Sequence, residues 1–257
     1  MKIRDKVVVV TGGGSGIGRA LCRSFFAGGA KAIVVADRNG DAAKKTAEEI
    51  GGLAATVDAV KEADIKGLVE TAINNFGPID LFCSNAGIIK TGGCEAADVD
   101  WQLSWDLHVM AHVYAARAVL PSMLERGAGY LLQTVSAAGL LTTPGAAPYS
   151  VTKHASLAFG EYLSMAHGSQ GIKVSCLCPQ GVRTGMLTRE TGGIGRFLMP
   201  NSLSAEQVAQ CALEGIEREE FLILPHSEVK DYFQKKAKDY EGWLRGMRRL
   251  HKQYVDS

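Results

Sequence analysis

Short apolar runs alternate with longer amphipathic stretches along most of this 257-residue chain. Val7-Val8-Val9-Val10 is continuous, without the polar alternation of a strand that shows one side to water, and predicts a strand buried on both faces. With that first strand at 6–11, comparable runs predict others at 32–36, 54–57, 79–83, 129–135, 173–177 and 221–224. Between them, apolar residues three and four apart predict helices near 16–28, 41–50, 61–76, 99–126, 148–168 and 205–217. Ser204 and Gln207 form a capping box for the last of these. Such alternation is the pattern of βαβ units, hence an α/β fold with a parallel sheet.

Two stretches break the rhythm. The glycine-rich segment 184–200 is long for a connection in an α/β unit, and reads either as a lid or as surface irregularity. Near the C-terminus, Val229, Phe233, Tyr240, Trp243, Leu244, Met247 and Tyr254 recur at mostly helical spacing, beside Lys235, Lys238, Arg248, Arg249 and Lys252. They predict one amphipathic helix, although Gly242 and Gly246 each cost about 1 kcal/mol against alanine. Such a helix fits packing on its own subunit or a partner better than a membrane surface.

Composition narrows the function classes. Apolar residues make up 46% of the chain, and the net charge of +1 is scattered, with no basic footprint for nucleic acid. Six cysteines show no disulfide-framework spacing, and Cys176-x-Cys178 has no second pair for zinc, so reduced thiols in a cytoplasmic protein are expected. Lys2, Arg4 and Lys6 before the valine run imitate a signal peptide, but the run breaks at Gly12 with no cleavage site after it. No apolar stretch reaches the roughly 20 residues of a membrane span, so no integral membrane segment is expected.

Chemistry enters at the end of the first strand. Thr11-Gly-Gly-Gly-Ser-Gly16-Ile-Gly18 lies between a buried strand and a helix marked by Ile17, Leu21 and Phe25. In that context glycines allow a tight turn and let backbone approach a pyrophosphate seated on the helix N-terminus. Asp37 ends the second strand, where a carboxylate accepts from the adenosine ribose and repels a 2′-phosphate, which favours NAD over NADP. Arg38 follows and reads as solvated, although a guanidinium can pair with a phosphate.

Tyr149-Ser-Val-Thr-Lys153 supplies the second half. On a helix, the phenol and the ammonium share one face. A phenol titrates near pH ~10 in water, and a neighbouring cation favours the phenolate, making proton exchange with an alcohol feasible near neutrality. Ser136 follows the predicted strand 129–135, at the carboxyl edge where open α/β sheets bind ligands. Pro148 suits the first turn of the helix that carries Tyr149.

The Thr11-Gly-x-x-x-Gly-x-Gly18 turn, Asn85-Ala86-Gly87, Ser136 and Tyr149-x-x-x-Lys153 together resemble the single-domain short-chain dehydrogenase/reductase family, over about residues 4–225. The resemblance implies a Rossmann-type, doubly wound, seven-stranded parallel sheet in order 3-2-1-4-5-6-7, assembled as a homotetramer or homodimer. It divides the chain into a dinucleotide-binding catalytic domain, 1–225, and a C-terminal amphipathic helical extension, 226–257. It implies hydride transfer between NAD and an alcohol carbon, with Tyr149 as general acid/base, Ser136 bonded to the substrate oxygen, and Lys153 on the nicotinamide ribose. Cofactor contacts carried over by motif are Gly12, Ser15, Gly16, Ile17 and Gly18 in the turn, and Asp37 on the ribose. Further along are Asp58 at the adenine, Asn85, Ala86 and Gly87 beside the adenine ribose, and Val182 and Thr184 at the carboxamide.

Departures from the pattern matter. Ser84 replaces an asparagine concerned with packing, and Gln180 replaces a glycine beside the nicotinamide. His108 stands at the fourth catalytic position, normally asparagine, and is expected to join the proton relay behind the lysine. His108 and His112 are i,i+4 on one predicted helix, but no third ligand is apparent and no metal is expected. Apolar residues in 137–147 and 186–199, among them Leu140, Leu141, Pro144, Met186, Leu187, Ile194, Phe197 and Leu198, point to a hydrophobic secondary alcohol or ketone. The rival readings are an NADPH-dependent ketone reductase and a low-turnover NAD(H)-sensing protein.

Overall fold

A computed structural model describes residues 1–188 and 193–255, without the side chain of Ile194. The first half of the chain runs β1 (Val7–Thr11), α1 (Gly16–Ala27), β2 (Ala32–Asp37), α2 (Gly40–Ile50), β3 (Leu53–Thr56), α3 (Glu62–Phe76) and β4 (Leu81–Ser84). It continues through α4 (Asp98–Trp105), a π-helical turn (Asp106–Met110), α5 (Ala111–Glu125), β5 (Gly129–Thr134), α6 (Ala138–Leu141), α7 (Ala147–His167) and β6 (Ile172–Leu177). The last third holds β7 (Val182–Arg183), α8 (Gly185–Thr188), α9 (Gly193–Leu198), β8 (Leu203–Ser204), α10 (Ala205–Glu217), β9 (Leu222–Ile223), α11 (Glu228–Lys238) and α12 (Tyr240–Tyr254).

Seven parallel strands form one sheet in the order β3-β2-β1-β4-β5-β6-β9, while β7 and β8 pair separately. This is the doubly wound Rossmann-type sheet expected from the alternating runs. The valines of β1 explain its position at the centre. Val8 and Val10 pack with Leu21 and Phe25 of α1 and Val208, Ala212 and Ile216 of α10. Val7 and Val9 point the other way, into Ile65, Leu68 and Val69 of α3 and Ala115 and Val119 of α5. A strand apolar at every position is satisfied only between two helical layers. The strand order reverses between β1 and β4, and at such a switch point the carboxyl ends of the strands open a crevice.

Several elements differ from the sequence expectation. The helix expected over 99–126 is interrupted, because the Ala111 N–H reaches back five residues to the Asp106 carbonyl. That wider turn carries His108. The segment 184–200 holds α8 and α9 rather than loop alone, and residues 189–192 lie outside the described ones. The single C-terminal helix is two helices. Asp239 leaves helical geometry (φ −141°, ψ 82°), and its side chain accepts from the Gly242 N–H as the N-cap of α12. The Ser204–Gln207 capping box is present as predicted. No described helix is long and apolar enough to cross a membrane.

Candidate active site

The glycine turn is built by close backbone contact. Gly12 has φ 64°, and a Cβ on Gly18 would stand 2.1 Å from the Gly12 carbonyl oxygen, so both positions exclude a side chain. Ser15 opens α1 without a side-chain cap, which leaves the first N–H groups of the helix available to an anion. Asp37 is anchored beside them, accepting from the Gly14 N–H at 3.0 Å and the Asn39 N–H at 2.9 Å. Asn85 ties three strands together. Its Nδ2 donates to the Thr11 carbonyl at 3.0 Å, its N–H donates to Thr11 Oγ1 at 3.0 Å, and its Oδ1 accepts from Thr134 Oγ1 at 3.0 Å.

The side chains expected to be catalytic, Ser136, Tyr149 and Lys153, meet at the carboxyl end of β5. Lys153 is buried, and its Nζ donates to the Thr134 carbonyl at 2.8 Å. The same Nζ lies 5.7 Å from the centre of the Tyr149 ring. Ser136 Oγ accepts from the Ala138 N–H at 3.1 Å, which fixes the hydroxyl next to the phenol.

One continuous cavity of about 1490 Å³ contains both halves. Gly12, Ser15, Gly16, Ile17, Asp37 and Asp58 line one end, and Ser136, Tyr149 and Lys153 the other. Asn85, Ala86, Gly87, Val182 and Thr184 lie between them. Two predicted site residues do not reach this surface. Gly18 is packed behind Gly12, and His108 is buried behind the Tyr149 ring, edge to face with centroids 5.4 Å apart. Of the apolar residues expected in the wall, Leu141, Met186, Leu187, Phe197 and Leu198 line it. Leu140 belongs to the buried cluster behind, and the Ile194 side chain lies outside the described residues.

A family model described as a short chain dehydrogenase matches residues 6–193. The chain belongs to the short-chain dehydrogenase family. Its relatives include 1-deoxy-11-beta-hydroxypentalenate dehydrogenase of Streptomyces exfoliatus, 35% identical over 243 residues that cover 90% of this chain and 86% of the relative. Another is 2,5-dichloro-2,5-cyclohexadiene-1,4-diol dehydrogenase of Sphingobium indicum, 36% identical over 193 residues that cover 73% of this chain and 76% of the relative. A crystal structure of a short-chain dehydrogenase/reductase from Burkholderia phymatum in complex with NAD superposes with a TM-score of 0.86 at 27% identity, covering 94% of this chain and 96% of that one.

In this short-chain dehydrogenase, burial dominates the electrostatics of the site. It pushes the Tyr149 phenol above its ordinary value, against a smaller pull downward from Ser136, and pushes the Lys153 amine down to about 7. The sequence led us to expect Lys153 to lower the phenol. The dry surroundings disfavour the charged form of each group, and burial is the largest influence on both.

Behind the cleft, His108 is held by Thr152 and Ser156, two polar residues with no individual signal in the sequence. The Ile88 N–H donates to His108 Nε2 at 3.3 Å, so the neutral ring carries its proton on Nδ1, which donates to Thr152 Oγ1 at 2.9 Å. Thr152 Oγ1 in turn donates to the Pro148 carbonyl at 2.7 Å. The His108 carbonyl accepts from Ser156 Oγ at 2.6 Å. Burial, reinforced by Lys153, holds the His108 ring well below the usual histidine range. His112, one turn on, is buried with neither ring nitrogen in a well-formed hydrogen bond among the described residues, and burial lowers it to about 3.

A histidine that titrates near 6.5 when unfolded and about 3 when folded binds its proton in the unfolded chain first. Stability is therefore lost as pH falls below 6.5, at about 1.4 kcal/mol per pH unit, until the folded-state value is reached. Replacing His112 with leucine removes one proton from that slope and costs little at pH 8 beyond the ring's weak contact with Gln133. Urea midpoints between pH 8 and pH 4.5 measure both; equal slopes for the two proteins would show that His112 is charged or solvated in the folded state.

Proposed function

We propose that the protein is an NAD(H)-dependent dehydrogenase that interconverts a hydrophobic secondary alcohol and its ketone, with Tyr149 as general acid/base. The observation that carries this reading is the single cavity with a glycine turn and Asp37 at one end and Ser136, Tyr149 and Lys153 at the other. NAD in the Burkholderia relative and the dehydrogenase names of the relatives support it. The residues present fit a dinucleotide: an uncapped helix N-terminus for the pyrophosphate, and a carboxylate beside it that suits a ribose and opposes a 2′-phosphate. Bound NAD accepts the hydride.

The chain's own share is positioning and proton transfer. Ser136 holds the substrate oxygen near the phenol. Tyr149 removes the hydroxyl proton during oxidation and returns it during reduction. Lys153, hung from Thr134, presents its ammonium to the ribose and to the phenolate as it forms. Apolar side chains from Leu141, Met186, Phe197 and Leu198 exclude water from the reacting carbon and favour an apolar skeleton over a sugar. The division into a catalytic domain, 1–225, and a helical extension is part of this reading. Both imidazole nitrogens of His108 are engaged away from Lys153, so the histidine serves as a positioning residue, joining the Ile88 loop to the first turn of α7.

A panel of hydrophobic secondary alcohols, followed at 340 nm with NAD and with NADP, tests the reaction. Turnover with NAD is expected, at least about tenfold better in kcat/KM than with NADP, and Tyr149→Phe lowers kcat by about 10²–10⁴ while NADH still binds. A preference for NADP favours the ketone reductase. Tight NADH binding without turnover across the panel favours the sensor. For His108, exchange for asparagine keeps most of the activity and exchange for alanine lowers kcat about tenfold, with the pH limbs unmoved in both. A limb near pH 6 that both exchanges abolish would make the imidazole itself a proton carrier.

A further inference from the structure

The substrate half of the cavity is roofed by the C-terminal helices. Trp243 packs with Val135, Ala137, Leu140 and Leu141, the cluster behind Ser136, and Lys236 Nζ donates to the Leu140 carbonyl at 2.6 Å. At its other end, α12 rests on α9 through the Phe197 and Tyr254 rings, 5.2 Å apart, and Val255 packs over Gly145. The helix therefore crosses the mouth on the substrate side, away from Asp37 and Asp58. Its underside is apolar: Gly242, Trp243, Gly246, Met247 and Leu250 all line the cavity, and no residue of α12 is fully buried.

Charge on this roof is one-sided. Lys235, Lys238 and Arg249 line the cavity, and none of them has an ion-pair partner among the described residues. Among the described residues that line the substrate half, the one carboxylate is Asp239. One of its oxygens caps α12 through the Gly242 N–H, and the other lies 4.0 Å from Arg245. At the dinucleotide end, Arg38 is matched by Asp37 and Asp58. Lys153 is committed to Thr134 and the phenol. Ser136, the apolar residues of α12 and three cations without an ion-pair partner among the described residues thus line one cavity.

We propose that the substrate is an apolar secondary alcohol or ketone that also carries a carboxylate, and that Lys235, Lys238 and Arg249 bind that carboxylate. An arginine and two lysines at the edge of an apolar wall offer charge-assisted hydrogen bonds to an anion while the skeleton stays out of water. The inference rests on the dehydrogenase reading of the site and adds a specificity element from outside the catalytic group.

Binding in a complex that cannot react separates the two. Protein saturated with NADH is titrated by calorimetry with lithocholate and 12-hydroxystearate, each against its neutral primary amide. The acid of at least one pair is expected to bind about tenfold or more tightly than its amide, the size of one charge-assisted hydrogen bond, and the ratio falls as salt is added. The combined variant Lys235→Gln, Lys238→Gln, Arg249→Gln brings that ratio to about one and keeps the NADH affinity. Acids and amides that bind alike, a ratio that survives the three exchanges, or a loss that proves to be of NADH would each overturn the proposal. Absence of turnover in the panel above bears on the dehydrogenase reading alone, since no catalysis is needed for this ratio.

Discussion

A buried ammonium is the constraint on which this active site turns. Lys153 has left water with one backbone carbonyl, that of Thr134, as its hydrogen-bonded partner among the described residues. A buried cation is tolerated when it is paired or when its proton is easily given up, and here the amine sits near neutrality. Thr134 belongs to β5, and its hydroxyl holds Asn85, which in turn holds Thr11 at the end of β1. The lysine is therefore fixed to the same three strand ends that shape the glycine turn. The strand ends beside the proposed cofactor turn therefore also hold Lys153 in place.

The second support comes from behind. The π-helical turn widens the helix where His108 sits, and its ring and carbonyl are both used: the ring by Ile88 and Thr152, the carbonyl by Ser156. The face of α7 opposite solvent is thus hydrogen-bonded to the turn over two helical repeats, and Tyr149 at its start is held edge to face against the imidazole. A neutral ring suits this task. A charged one beside Lys153 would meet repulsion in a dry environment.

Much of this was legible in the chain. β1 carries its own signal because a central parallel strand is apolar at every position, and the glycine turn is recognisable because it follows that strand and opens a helix. Tyr149, Lys153 and Ser136 were singled out by their spacing and place at a strand end together with the family resemblance, and the fold brings the three to one cavity. The break at residues 106–110 could not, because the apolar periodicity runs through it, and the Ser156 hydroxyl that bonds its His108 carbonyl is distant in sequence. The stop at Asp239 was legible in principle, as an aspartate three residues before Gly242, but the apolar spacing across it masked the cap. Thr134 and Thr152 gave no signal, since their roles depend on which side chains the fold brings beside them. The tail was the most ambiguous element. Its apolar stripe favoured its own subunit or a partner over a membrane without choosing between the first two, and the packing of Trp243 and Tyr254 shows that it covers its own cleft.

Because burial, rather than the lysine, sets the Tyr149 phenol, a further positive charge in the cavity is what would make it a base. On the proposed reading, bound NAD would supply such a charge, and Lys153 would act on a phenol already biased toward ionisation. A 13C NMR titration of ring-labelled tyrosine, with the Tyr149 signal assigned through Tyr149→Phe, measures this directly. The phenol is predicted to titrate above 10 in the cofactor-free protein and to fall by at least about one unit with NAD bound. A phenol already below 10 without cofactor, or one that NAD leaves unmoved, would contradict it.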